Sequence, residues 1–157
     1  MINNGLYTSN TDKWNTPQDL VADLTKVFDW NLDVCSSSNN VCDNYFDEAV
    51  NGLRQEWRGL CWMNPVYGRE IGKWMFKART SGALPGTTVV CLVPARTDTK
   101  WWHSNIEYAS QVVFIKGRLK FGDSKNSAPF PSTFVVFGRL NEVQRNKLSS
   151  YGWNIEK

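Results

Sequence analysis

The chain has a single histidine, His103, and no C-x-x-C pair among its four cysteines. Cys35, Cys42, Cys61 and Cys91 lie 7, 19 and 30 positions apart, which is not a zinc-ligand spacing, and no metal is expected. Three of them sit in or beside apolar runs (LDVC, GLCWM, VVCLV), where a thiol acts as a small buried hydrophobe, so core packing is their expected role. His103 falls in a predicted helix with no Cys or Ser nucleophile near it in sequence, which leaves histidine-based nucleophilic catalysis without support. No stretch approaches the roughly 20 uninterrupted apolar residues of a membrane span. The start MINNGLYTSNTDKW has neither the basic end nor the apolar run of a signal peptide. A cytoplasmic protein with no membrane partner is expected. Repeats, low-complexity tracts and charge runs are also missing, and 157 residues match one domain of about 100 to 200 residues.

What is present is unevenly distributed. Apolar residues make up 41% and charged residues 21%, the composition of an ordinary globular chain. The net charge of +3 conceals a change of sign at Leu60. Residues 1–60 carry four Lys or Arg against nine Asp or Glu, a balance of −5, and the remaining 14 basic and six acidic residues give +8. A cationic C-terminal part invites a polyanion. The acidic N-terminal part suits a cationic or hydroxyl-rich small ligand. Eight Trp, eight Phe and five Tyr exceed what a core of this size needs, and aromatic faces near Arg and Lys suit base stacking as well as core packing.

Periodicity divides the chain into alternating elements. Thr16-Pro17 reads as a helix start, Thr16 as N-cap and Pro17 at the first helical position, and Leu20, Val21, Leu24, Val27 and Phe28 extend the helix over residues 17–28. WNLDVC is a strand ending in a polar loop, NYF around Tyr45 a second short strand, and LCWMN a third that stops at Pro65. Ile71, Trp74, Met75 and Ala78 predict a helix over residues 69–81. GREIGKW is that helix's start, since a phosphate-binding loop needs four residues between its glycines and Ser or Thr where Trp74 stands. TTVVCLVPA is too continuously apolar for a half-exposed strand and reads as a central one. A helix over residues 100–109, a strand QVVFIKG, a hairpin through GRLKFG, a strand STFVVFG and a helix over residues 141–150 follow. Strands alternating with helices predict an α/β fold with a mostly parallel sheet and antiparallel members near the C-terminus. In such sheets ligands lie outside the carboxyl ends of the strands, which selects the loops DVCSSSNN, NPVYG and PARTDT.

Asn64-Pro65-Val66-Tyr67 is the sharpest feature. An Asn carbonyl oxygen beside a rigid backbone carbonyl fixes two acceptors that can hold both hydrogens of an exocyclic amine, and an aromatic three positions on can stack on the ring bearing it. As a plain turn, Asn-Pro closes a strand. Arg96 and Asp98 can pair across a turn, and Lys116, Arg118 and Lys120 alternate through the predicted hairpin, where phosphate contact and plain solvation are equally open.

In the order WNTP, LDVCSS, NGLRQEW, NPVYG, LVPARTDTKWWH, GRLKFG and APFPSTFVVF, the sequence resembles the phage and prophage DNA N-6-adenine methyltransferases of the Dam type, within the S-adenosylmethionine-dependent class I methyltransferases. The resemblance implies a Rossmann-like sheet with flanking helices, in a minimal single domain over residues 1–157 without a separate target-recognition domain. It implies transfer of a methyl group from S-adenosylmethionine to N6 of a flipped-out adenine in double-stranded DNA, by a monomer in a bacterial host, with protection from host restriction as the purpose the family suggests. By resemblance Asn64, Pro65 and Tyr67 are catalytic. Asp33, Cys35, Ser36 and Ser37 lie against the methionine part of the cofactor, Asp47 lies near its ribose, and Trp14, Thr16 and Pro17 complete its pocket. Arg96 borders the substrate cleft, and with Lys116, Arg118 and Lys120 forms the expected DNA-binding set. Two positions depart from the family pattern: Val66 replaces a second proline, and Ser36 to Ser38 stand where many methyltransferases have glycine. Those departures keep open a DNA-binding remnant without activity, and the amide chemistry would equally serve an RNA adenine or a protein glutamine.

Overall fold

The computed structural model describes residues 14–36, 39–121 and 127–157. Chain order gives helix α1 (Gln18–Thr25), strand β1 (Leu32–Asp33), a 3-10 turn (Gly52–Arg54), β2 (Gly59–Met63), α2 (Ile71–Gly82), β3 (Thr87–Pro94), α3 (Lys100–Asn105), a second 3-10 turn (Ile106–Tyr108), β4 (Gln111–Ile115), β5 (Ser132–Phe137), α4 (Glu142–Ser149) and β6 (Gly152–Glu156). Each helix anticipated from periodicity is present, with shorter bounds. No helix among the described residues is long and apolar enough to cross a membrane.

One sheet runs β1-β2-β3-β5-β4-β6. The two pairings among β1, β2 and β3 are parallel, and the three that involve β5, β4 and β6 are antiparallel. The expected mostly parallel sheet is therefore corrected to a mixed sheet with an antiparallel majority of pairings. The cause is the connection after β4. A parallel return needs a crossover, usually helical, and no helix is described between Ile115 and Ser132. The chain turns back, and β5 slots between β3 and β4. Because β4 opposes β5 and β5 opposes β3, strands β1 to β4 still share one direction. Their carboxyl ends gather on one edge of the sheet, beside the amino ends of β5 (Pro94 opposite Ser132) and β6 (Ile115 opposite Gly152).

Helices cover both faces. Met75 and Ala78 of α2 are buried where it packs on β3 and β5, and α3 packs on α2. On the other face Leu20 and Leu24 of α1 are buried, Phe28 stacks on Trp30 with centroids 4.7 Å apart, and Trp30 meets the edge of Trp62. Asp23 of α1 accepts from Lys147 of α4 at 2.6 Å and from the Tyr151 hydroxyl, joining the two helices. Buried on both sides, β3 is as apolar as its sequence demanded, with all but Thr88 buried.

Three local expectations change. Tyr45 makes an isolated bridge to Asp33 rather than a strand. The GRLKFG hairpin does not form among the described residues: β4 stops at Ile115, the chain turns at Gly117, and a bond from the Ala128 amide to the Leu119 carbonyl (2.7 Å) is what ties the segment down. Lys116, Arg118 and Lys120 are exposed there but do not alternate along a strand face. Thr16 does not cap α1. Pro17 occupies the cap position, with no side-chain capping bond, and the Thr16 hydroxyl points elsewhere.

Strand β6 was not foreseen, and its entry is tight. A β-carbon on Gly152 would lie 1.9 Å from the Phe114 carbonyl oxygen. Gly152→Ala should therefore cost about 2 kcal/mol or more in urea denaturation, while Val143→Ala, at an exposed site, should stay within about 0.5 kcal/mol; equal midpoints for the two variants would contradict this packing.

Candidate functional site

The NPVY loop leaves the carboxyl end of β2 between the ends of β1 and β3. Asn64 is 9% exposed. Its Nδ2 donates both hydrogens inward, to the Trp14 carbonyl oxygen at 2.6 Å and to Thr16 Oγ1 at 3.0 Å. Its Oδ1 lies 2.8 Å from the Tyr67 hydroxyl, which also lies 3.0 Å from the Leu92 carbonyl oxygen. That hydroxyl has one proton for two acceptors. Burial pushes the Tyr67 pKa well above its ordinary value, with Cys35 adding to the shift, so the hydroxyl stays protonated. An amide oxygen has two lone pairs, of which Tyr67 takes at most one.

Asn64, Pro65 and Val66 line a cavity of about 740 Å³, within the range of small-molecule sites, together with Trp14, Cys35, Ser36, Asp47 and Trp74. Asp47, Glu48 and Glu70 line this cavity, Glu70 paired with Lys73 at 3.1 Å, and no Lys or Arg among the described residues lines it. Its floor is built by close approach: a β-carbon on Gly52 would meet the Val34 carbonyl oxygen at 2.0 Å, so only glycine lets the 3-10 turn lie against the end of β1. Asp47 accepts from the Val50 amide (3.0 Å) and shapes that turn, while Ser36 Oγ donates to Asn40 Oδ1. The Cys35 thiol, held above its ordinary pKa by burial and by Asp33, donates to the Asn64 carbonyl oxygen at 3.2 Å.

A second cavity of about 530 Å³ opens on the other side of the loop, lined among others by Tyr67, Arg96, Asp98, Thr99, Trp101 and Phe130. Trp14 lines both cavities. Its ring meets those of Phe130 (5.1 Å) and Phe121 (5.6 Å) edge-on, and Tyr67 meets the same two at 5.5 and 6.2 Å. Arg96 lies 5.9 Å over the Phe130 ring. Trp101, Thr99, Phe121 and Phe130 were not singled out from sequence; the surplus of aromatics was their one signal.

The structure thus gathers Trp14, Cys35, Ser36, Asp47, Asn64, Pro65, Tyr67 and Arg96 around two adjoining cavities. Thr16 and Asp33 stand behind the walls, and Pro17 begins α1. Ser37 lies outside the described residues. Lys116, Arg118 and Lys120 follow the end of β4 on the same sheet edge, with Arg118 directed to the Ala128 carbonyl oxygen at 3.4 Å.

Asp33, 2% exposed, folds the first loop back by accepting from the amides of Val41 (3.1 Å) and Cys35 (3.3 Å). Desolvation outweighs those two bonds and raises its pKa from 3.8 to about 6. A carboxyl whose pKa is raised on folding contributes stability that is fully present below the unfolded value and is lost as pH rises through the folded one. Between pH 4 and pH 7 the wild type should therefore lose on the order of 3 kcal/mol relative to Asp33→Asn in urea denaturation. Parallel stability curves for the two proteins would refute a buried, titrating Asp33.

Comparison with known proteins gives the chain a family. Residues 4–149 match the family model described as DNA N-6-adenine-methyltransferase (Dam). The chain is 27% identical over 147 residues to the DNA N-6-adenine-methyltransferase of Haemophilus phage HP1, covering 87% of this chain and 84% of that protein. No solved structure gives a significant match. With nearly its whole length matched, the chain belongs to the DNA N-6-adenine-methyltransferase (Dam) family.

Proposed function

We propose that the protein transfers a methyl group from S-adenosylmethionine to N6 of an adenine rotated out of double-stranded DNA, acting as one catalytic domain without a separate recognition domain. The observation that carries this reading is the pinned Asn64 amide on a loop between two cavities. The larger cavity fits the cofactor: it has room for it, and the acidic residues Asp47, Glu48 and Glu70 in its lining suit a ligand bearing sulfonium and ammonium charge. Cys35, Ser36, Asp47 and Trp74 would hold it. When bound, it supplies an electrophilic methyl group on a positively charged sulfur.

The chain's own residues do the positioning. Extruding a base costs a few kcal/mol, and stacking on aromatic rings returns about 1 to 3 kcal/mol. Tyr67, Trp101 and Phe130 line the smaller cavity, where such stacking would occur. The adenine amine's lone pair is conjugated into its ring. Accepting hydrogen bonds from that amine to Asn64 and the Pro65 carbonyl favour a pyramidal nitrogen whose lone pair is free to attack, so the acceleration comes from orientation and fixed dipoles. Arg96, Lys116, Arg118 and Lys120 would hold the phosphates.

Incubation with S-adenosylmethionine and DNA from a methylation-deficient host, then digestion and mass spectrometry, should yield N6-methyladenine. Asn64→Ala should lower turnover by on the order of 100-fold or more, with calorimetric cofactor affinity changed less than about threefold; equal loss of both would remove Asn64 from the acceptor role. Lys116→Ala should weaken binding uniformly across DNA sequences and reduce the slope of log affinity against log salt by about one. An unchanged slope would take Lys116 off the phosphate path.

A further inference from the structure

We propose that Thr16 is a positioning residue for the reaction: its hydroxyl, with the Trp14 carbonyl, fixes which end of the Asn64 amide faces the substrate. The inference rests on the methyl-transfer reading and assigns Thr16 a place outside the cofactor pocket. Thr16 is 5% exposed and does not line either cavity. Its Oγ1 accepts from Asn64 Nδ2 at 3.0 Å and from the Trp62 indole at 3.3 Å.

The chemistry of the partners removes ambiguity. An indole N–H only donates and a backbone carbonyl only accepts. The Trp62 indole occupies one lone pair of the Thr16 oxygen, the second takes the Asn64 hydrogen, and the Trp14 carbonyl demands a donor. Turning the Asn64 amide over would set its oxygen against the Trp14 carbonyl at the 2.6 Å separation now held by a hydrogen bond. The Trp14 carbonyl thus selects the nitrogen end, the Thr16 oxygen receives its second hydrogen, and Oδ1 is left to face Tyr67. A second observation agrees. Thr is a good N-cap, yet α1 begins with Pro17 at the cap and no side-chain capping bond. The hydroxyl that could have capped the helix is turned into the sheet instead, reaching a partner 48 positions away.

A hydroxyl serving only to satisfy the Trp62 indole would look similar in a folding assay, so the test must separate the two partners. The variants are Thr16→Val, which keeps shape without the hydroxyl, Thr16→Ser, which restores it, and Trp62→Phe, which removes the other donor. Steady-state methylation of DNA is measured well below each unfolding midpoint, alongside calorimetric affinity for S-adenosylmethionine. Thr16→Val is expected to lower kcat on the order of 10- to 100-fold, the scale of a misplaced reacting group, with KM for DNA and cofactor affinity within about twofold. Thr16→Ser should recover most of kcat, and Trp62→Phe should retain it. If Thr16→Val does not fold, Thr16→Ala removes the hydroxyl without adding a buried methyl and carries the same expectation. Unchanged kcat in the Thr16 variants, or an equal fall in Trp62→Phe, overturns the positioning role and leaves the methyl-transfer reading standing. Absence of methyladenine with the wild type overturns both.

Discussion

A primary amide set against a backbone carbonyl has one stable orientation, and the candidate site depends on that constraint. Asn64 gives both amide hydrogens to the Trp14 carbonyl and the Thr16 hydroxyl. Its oxygen is then directed to the Tyr67 hydroxyl at 2.8 Å. The two acceptors stand before α1, about fifty residues upstream, so the loop at the end of β2 is only half of the site. The N-terminal segment is the other half, and Trp14 serves twice: its carbonyl holds the amide and its ring joins the cluster with Phe121 and Phe130.

Sheet topology explains why two cavities meet at this loop. Strands β1, β2 and β3 deliver three loops to one edge, and the antiparallel β5 brings Phe130 and Pro129 to the same edge from the opposite direction. The change of charge along the sequence has a spatial counterpart. The cavity lined largely by the N-terminal part carries Asp47 and Glu48, together with Glu70 and no Lys or Arg among the described residues, and the one reached by the C-terminal part carries Arg96 beside Asp98. A cation and a polyanion are thereby offered different sides of a single loop.

What could be read from sequence followed from how completely each residue's environment is announced by its neighbours. Strand β3 was legible because burial on both faces requires an unbroken apolar run, and NPVYG because an amide and a proline end a strand at the place where open sheets bind ligands. Strand β6 was not. Its two large apolar residues, Trp153 and Ile155, are 69% and 46% exposed, so its alternation points away from the core and gives no strand signal. Antiparallel members near the C-terminus were expected and are present, but the place of β5 between β3 and β4 was hidden, since pairing order is decided by the connection and not by composition. Thr16 was assigned to a cap because local propensity favours it there; a buried amide 48 residues away outcompeted the helix, and nothing local records that.

The interposition of β5 also orders events in time. Strand β3 finds its first neighbour, β2, already made, but its second edge pairs with residues 132–137, nearly forty positions later. At a synthesis rate of about 5 to 20 residues per second, the most apolar strand of the protein waits on the order of 2 to 8 s with one edge open. During that interval Val89 to Val93 present an unpaired ladder of the kind that recruits other chains. The nascent polypeptide therefore passes through a sticky stage that its finished sheet conceals, and slowing translation between Pro94 and Ser132 would lengthen it.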